Sequence, residues 1–576
     1  MKFAVRYLSP AFAIVAGIAL ISCNILYHAG LNKPELFKLE GLFPSAAHQS
    51  VTFDQSIIAS PMLDWSQGKP LLIVPASNGI IAALDTKTGT LNWQYRLPSP
   101  EGQEIQLVST PALIGNKLVV LYQCIEKGER TSHRVVVIDL IQKQIDETFP
   151  ALVLSAEKPA ANGNSTVKFN PSTAFSHSAV KHALKSESQL GYVYVSFGSS
   201  GDTQPFHGWI FEIDMEVWKK KGAENAVSNV LVTTPEAECP VTMSYGTQEM
   251  ICGGGIWTPA GLQIYATKND FELFVPTGNG QIDLTRHDYA NTVMRIKPGL
   301  EFDSGCDERK CANFNPANPD VKCLESCKNL FIPRLAAGDA PIKPANRECD
   351  EKTFWECLAW MDYDLGGSAP VKVNMDNGRP VVVQAGKEGG AYLIDADHLG
   401  IQYDRLQIVE VCGTPTDPCK SGWAGMIVTQ PALTYIDGVP VVVIPTFSPD
   451  KTHPAGLVAL KIVLENGQPK FKRFWQFPDS ANPESVQSFR TQPSLPVIAT
   501  LGKQGDPSVW VVDIGDKGTV YGVRIKDGVL IAKAVMQGAG RPLSSPVIYD
   551  NHLYLASIMP STNKSMIEAY RIELKE

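Results

Sequence analysis

Short apolar runs, each closed by a polar turn, recur along this chain. The clearest unit is GIIAALDTKTGTLNW, from Gly79 to Trp93. An alternating apolar run leads to Leu84-Asp85, a turn follows at Thr88-Gly89, and a second run carries Trp93. The pattern predicts a strand, a tight turn and an outgoing strand. Glycine suits the turn because it takes φ > 0, and threonine because its hydroxyl can bond back to the backbone. One such hairpin cannot bury its apolar face alone, so its recurrence implies sheets stacked around an axis.

Seven further copies follow. They are VVVIDL ending at Leu140, WIFEID at Asp214, VMRIKPG at Gly299, AYLIDADHLG at Gly400, GLVALK at Lys461, VYGVRIKDG at Gly528 and MIEAYRI at Ile572. A second marker, a small residue then proline then an apolar strand, appears at Pro61, Pro111, Pro370, Pro431, Pro493 and Pro546, with a looser case at Pro259. Proline is tolerated at the first residue of a strand because no ladder bond is lost there. The units recur at roughly 45 to 65 residues, the length of a four-stranded propeller blade. The fold class expected is therefore all-β, an eight-bladed β-propeller with four-stranded antiparallel blades.

Residues 1–27 read as a targeting or anchoring segment. Lys2 and Arg6 form a positive start, and Ala11 to Ile21 is apolar. Leu20-Ile21-Ser22-Cys23 has the look of a bacterial lipobox, with Cys23 the lipidated residue. Leu8 to Tyr27 is also long enough to span a bilayer once. Both readings put the rest of the chain outside the cytoplasm and tethered to a membrane. Residues 28–55 are a lead-in able to supply an outer strand that closes the ring. The propeller occupies 56–576. Residues 150–175 read as an exposed loop, and 302–360 as a cysteine-rich insertion, a lid or a docking surface for a protein partner.

The formal net charge of −8 over 576 residues excludes a nucleic-acid surface, and no basic run or zinc-finger spacing occurs. Of twelve cysteines, Cys306, Cys311, Cys323, Cys327, Cys349 and Cys357 share the insertion. Cys412 and Cys419 flank one short loop, and Cys239 and Cys252 another, leaving Cys124 on a predicted strand. Disulfides are expected rather than zinc, because the insertion lacks a paired C-x-x-C and the compartment is oxidising; the connectivity of the six stays open. No C-x-x-C-H motif is present to attach a haem.

The repeats resemble the quinoprotein repeat, roughly ALD-x-x-TG-x-x-x-W, over nearly everything after residue 55. Four stretches also resemble the pyrroloquinoline quinone (PQQ)-dependent alcohol dehydrogenases, in the same order. In FGSSGDTQPFHGWIFEID, Asp202 falls near the family's acidic calcium ligand, although the family usually has glutamate there; it also reads as an Asp-Gly-type turn. In CGGGIWTPA, Trp257 matches the tryptophan that forms the floor under the quinone, and also reads as a blade-packing residue. In LFVPTGNG, Asn279 matches a calcium ligand or belongs to a hairpin turn. In WMDYDLGGSAPV, Asp362 and Asp364 match the catalytic carboxylate phrase, and Lys387 in the later GKEGG matches the cation that contacts the quinone oxygens. Asp364 also reads as a turn cap and Lys387 as a solvated turn residue.

The resemblance thus implies PQQ and Ca²⁺ as cofactors. It implies Asp202, Asn279 and Asp362 at the metal, Trp257 and Lys387 at the quinone, and Asp362 with Asp364 as catalytic. An alcohol or polyol would be oxidised and the electrons passed to an external acceptor. The chain lacks the adjacent Cys-Cys pair of many members. Non-catalytic propellers share the repeat, among them the lipoprotein propeller of outer-membrane assembly, so a protein-binding scaffold is the alternative expectation.

Overall fold

The computed structural model describes residues 36–575 apart from 162, 185–189, 202–204, 236–252, 281, 340–348, 350, 410–426, 448–454, 479–488, 490, 502–504 and 516. Asp202, residues 1–27 with Cys23, and the pairs Cys239–Cys252 and Cys412–Cys419 lie outside the described residues.

The chain is an eight-bladed β-propeller of antiparallel sheets. Blade 1 shows the plan, with strands Met62–Asp64, Leu71–Pro75, Ile80–Asp85 and Leu91–Arg96 running outward from the axis. Each of the eight repeated phrases forms the third strand of a blade. The aspartate that ends the phrase caps the following turn. Asp85 Oδ1 accepts from the N–H groups of Lys87 and Thr88 and from the Thr88 hydroxyl. Asp139 and Asp395 serve their turns in the same way.

The second strands are continuous apolar runs because each blade is buried on both faces. Along Leu71–Pro75, Leu71 and Ile73 face a cluster shared with blade 2, while Leu72 and Val74 face one shared with blade 8. Alternate residues of a strand point to opposite sides, so one run feeds two interfaces. Eight such clusters among the described residues fill the eight gaps between blades.

Aromatic residues on outer strands lock each blade to the next. Trp475 of blade 6 lies on Gly528 in the turn of blade 7, where a Cβ would sit 2.9 Å from the indole, and donates its Nε1–H to the Ile525 carbonyl. The same device closes the ring. Strand Phe37–Phe43 is the outermost strand of blade 8, pairing antiparallel with Lys564–Leu574. Its Phe43 lies on Gly89 of blade 1, where a Cβ would meet the ring at 2.5 Å. Gly89 also has φ +69°, so it is required twice over.

A hydrogen-bonded girdle joins the starts of the innermost strands, where the proline marker falls. Ser545 N–H donates to Ser60 Oγ, Ser60 N–H to Thr110 Oγ1, and Ser109 Oγ to Ser176 Oγ. Ser178 Oγ then donates to the Ile256 carbonyl, carrying the girdle to blade 4. In blade 7 the marker is Pro496, directly before strand Val497–Thr500, and not Pro493.

Two insertions are more ordered than their composition indicates. Residues 150–175 form a hairpin of Glu157–Pro159 with Thr166–Lys168, and Phe169 packs edge-on against Phe197, Trp209 and Phe211. Isolated apolar residues in a polar stretch carry that packing. The cysteine-rich insertion supplies strand Leu330–Phe331, the outermost strand of blade 4. It contains disulfides Cys306–Cys327, Cys311–Cys323 and Cys349–Cys357. Cys124 is free and buried in strand Lys117–Glu126.

Candidate functional site

The insertion ends in helix Phe354–Trp360, which delivers the WMDYDLG phrase. A capping box starts the helix, with Glu356 N–H donating to Thr353 Oγ1 and Thr353 N–H to Glu356 Oε2. It stops in a Schellman turn, in which Tyr363 N–H donates to the Leu358 carbonyl and Asp362 N–H to that of Ala359. Asp362 therefore occupies the left-handed position that glycine usually fills, at φ +55°. Tyr363 and Leu365 plunge into the cluster between blades 4 and 5, while Asp362 and Asp364 gather around Lys387.

Lys387 stands in the turn between strands Val381–Ala385 and Gly390–Asp395 of blade 5. Its Nζ lies 2.8 Å from Asp362 Oδ1, 3.2 Å from Asp364 Oδ2 and 4.6 Å from the centre of the Trp257 ring. Lys387, Asp362 and Asp364 are all buried. Trp257, on the connection into blade 4, donates its Nε1–H to Asp364 Oδ2 at 3.3 Å. Asn279 follows strand Phe271–Pro276; its N–H donates to Asp364 Oδ2 at 3.0 Å, and its Oδ1 accepts from Gly280 N–H.

The two aspartates thus differ in surroundings. Asp364 accepts from Asn279 N–H, Gly366 N–H, Trp257 Nε1–H and the Lys387 ammonium. Asp362 Oδ1 meets the ammonium, and no hydrogen bond from the described residues ends on its Oδ2.

Three glycines make room for the indole. A Cβ on Gly278 would lie 3.1 Å from Trp257 Nε1, one on Gly366 2.8 Å from it, and one on Gly367 2.5 Å from Cη2. Glycine is needed there for close approach of backbone to ring, whatever its φ.

Sequence reasoning missed the support behind Lys387. The next residue, Glu388, is fully buried and accepts from Tyr392 Oη at 2.6 Å. Arg405 lies 3.7 Å from Glu388 and 2.9 Å from Asp339 of the insertion. Burial raises the Glu388 pKa, against the pull of Arg405 and the Tyr392 hydroxyl. The signal in the sequence was a carboxylate inside the GKEGG turn, where a solvated residue is the ordinary expectation. His207 also proves to be a tie: its Nδ1 lies 2.6 Å from the Thr234 carbonyl.

Of the site residues expected from sequence, Trp257, Asn279, Asp362, Asp364 and Lys387 come together, and Asp202 lies outside the described residues. The donors suit a flat quinone with a calcium ion. The indole offers an apolar plane, Lys387 a fixed cation, and Asn279 Oδ1 and Asp362 hard oxygens. The sulfurs of Cys306, Cys311 and Cys327 also lie within 4.8 Å of one another, but all three are held in disulfides.

No family model and no curated protein matches the chain. Solved structures do. A quinohemoprotein alcohol dehydrogenase from Pseudomonas putida HK5 is 12% identical with a TM-score of 0.51, covering 94% of this chain and 76% of its own. A europium-containing methanol dehydrogenase is 12% identical with a TM-score of 0.51, covering 91% and 92%. BamB from Moraxella catarrhalis is 12% identical with a TM-score of 0.44, covering 92% and 99%. At such identities the likeness is one of fold: this chain is an eight-bladed β-propeller similar in architecture to quinoprotein dehydrogenases and to BamB-type propellers.

Proposed function

We propose that this propeller is a PQQ-dependent dehydrogenase acting on an alcohol or polyol, with Asp362 as its base. The observation that carries the reading is the meeting of Trp257, Lys387 and Asp362, from three separate stretches of chain, in one buried centre. A buried lysine and two carboxylates are costly to desolvate, and a propeller needs none of them to close its ring.

PQQ rests against Trp257 and Lys387, and Ca²⁺ takes Asn279, Asp362 and Asp202. Bound there, the two supply a two-electron acceptor and a Lewis acid. Asp362 accepts the substrate hydroxyl proton at Oδ2. Lys387 supplies positive charge where negative charge develops. Asp364, its oxygens already engaged, is a positioning residue that holds Trp257, Lys387 and the Asn279 backbone in register. An external acceptor takes the electrons. The protein works outside the cytoplasm, tethered through residues 1–27, a placement supported by the three disulfides.

A second reading is a non-catalytic scaffold propeller. The observation favouring it is that Lys387 is already closed on both carboxylates and its N–H bonds the Asp364 carbonyl, so the cluster stands as a strut without any ligand. A dye-linked assay on an alcohol panel, with PQQ and Ca²⁺ added to the purified protein, separates the two. Turnover in the wild type that disappears in a folded Asp362→Asn variant supports the dehydrogenase. No turnover on any alcohol leaves the scaffold, and the search moves to partners of the cysteine-rich insertion.

A further inference from the structure

Arg541 has no hydrogen bond or ion pair among the described residues, yet its Nε is enclosed by protein. It follows strand Ala539–Gly540 of blade 8. Two residues on, Leu543 takes φ +65° and packs against the cluster that contains Trp257, Tyr363, Leu365 and Phe447. Blade 8 stands opposite blade 4 in an eight-membered ring, so that contact crosses the axis. Ser544 follows, buried, with its hydroxyl unpartnered. Its carbonyl accepts from Leu495 N–H, and Ser545 joins the girdle through Ser60. The Arg541–Ser544 segment is therefore part of the wall around the axis that Trp257 and Lys387 also reach.

A guanidinium half withdrawn from water without a counter-ion is unfavourable, and an anion seated against it removes the penalty. Burial accordingly lowers the Arg541 pKa from its ordinary value. Arginine's planar fork fits a carboxylate in two parallel bonds, and a serine hydroxyl next to it adds a third donor.

We propose that Arg541 and Ser544 form a carboxylate-binding subsite on the blade 8 wall, gripping an acidic group of the ligand that Trp257 and Lys387 hold. In naming that ligand as the quinone, a tricarboxylate, the inference rests on the proposed function; the subsite itself rests on the unpartnered donors.

The test is a binding titration of the full chain with PQQ and with its trimethyl ester, in Ca²⁺, for wild type, Arg541→Gln, Arg541→Lys and Ser544→Ala, each checked for native circular dichroism. Loss of a charge-assisted pair predicts Kd for PQQ about 10- to 100-fold weaker in Arg541→Gln, with Arg541→Lys between. The ester, which has no carboxylate, should bind all four forms within about threefold. Equal PQQ affinity in wild type and Arg541→Gln overturns the subsite and leaves the dehydrogenase reading standing. If wild type takes up no PQQ, that reading fails, and citrate becomes the probe. A rise in Tm with citrate in wild type but not in Arg541→Gln supports the subsite, and no rise in either overturns it.

Discussion

Lys387 Nζ sits 2.8 Å from Asp362 Oδ1, and Asp362 holds its place in a left-handed backbone conformation at the end of helix Phe354–Trp360. A non-glycine residue at that position costs of order 1 kcal/mol, and asparagine tolerates it nearly as well as aspartate. Asp362→Asn should therefore keep the fold, with Tm within a few degrees of wild type, while removing the base. Turnover should fall by about 10²- to 10⁴-fold. Asp362→Gly should relieve the backbone and be equally inactive. An active Asp362→Asn enzyme would exclude Asp362 as the base.

Asp364 should behave differently. Four donors converge on it, so Asp364→Ala strands a buried ammonium and several N–H groups. We expect a loss of about 3 to 5 kcal/mol in urea unfolding, together with a changed Trp257 environment read as a fluorescence difference absent in a Trp257→Phe background. Lys387→Met leaves two buried carboxylates facing each other and should cost a similar amount.

The Glu388–Arg405 pair makes the same argument one shell out. Arg405→Leu leaves a fully buried carboxylate whose pKa is already raised by burial. Stability should drop by about 3 kcal/mol at neutral pH. Part of that loss should be recovered in the double variant with Glu388→Gln, measured as a double-mutant cycle.

Acid should loosen the contact between blades 2 and 3. Burial lowers the pKa of His133 to about 4, helped by Arg130 and opposed by bonds to the Pro171 and Ala174 backbone. Its ring packs among Phe169 and Phe197. His177, beside Phe175 and Arg130, is likewise pushed down to about 4 by burial. The unfolded chain binds these protons near pH 6.5, so stability is full above about 6.5 and declines as pH falls toward 4. For His133 the full loss is of order 3 kcal/mol. His133→Gln should flatten the pH dependence of Tm over that window.

Ring closure gives a prediction independent of the site. Phe43→Ala removes the aromatic that covers Gly89 and should cost about 3 to 5 kcal/mol, comparable with Trp475→Ala at the equivalent contact on Gly528. Hydrogen exchange should rise first along Phe37–Phe43 and its partner Lys564–Leu574.

The blades were legible because each third strand ends in an aspartate that must cap a turn, and that chemistry repeats at every copy. Trp257, Asn279, Asp362 and Lys387 were legible through order and phrase. The division of labour between Asp362 and Asp364 was not, because it is set by backbone N–H groups of Asn279 and Gly366 that no side-chain pattern encodes. Strand Leu330–Phe331 is two residues long and hidden among cysteines, so periodicity cannot find it. Arg541 has meaning only once the ring brings blade 8 opposite Trp257.

The most direct test of the central claim is quinone stoichiometry. Purified protein in Ca²⁺ is titrated with PQQ, and bound quinone is counted from its absorbance after gel filtration, beside Lys387→Met and Trp257→Ala. The account predicts one quinone per chain in wild type and uptake at least about tenfold weaker in both variants. A folded wild-type protein that takes up none would contradict it and make the Asp362–Lys387–Asp364 cluster a structural strut.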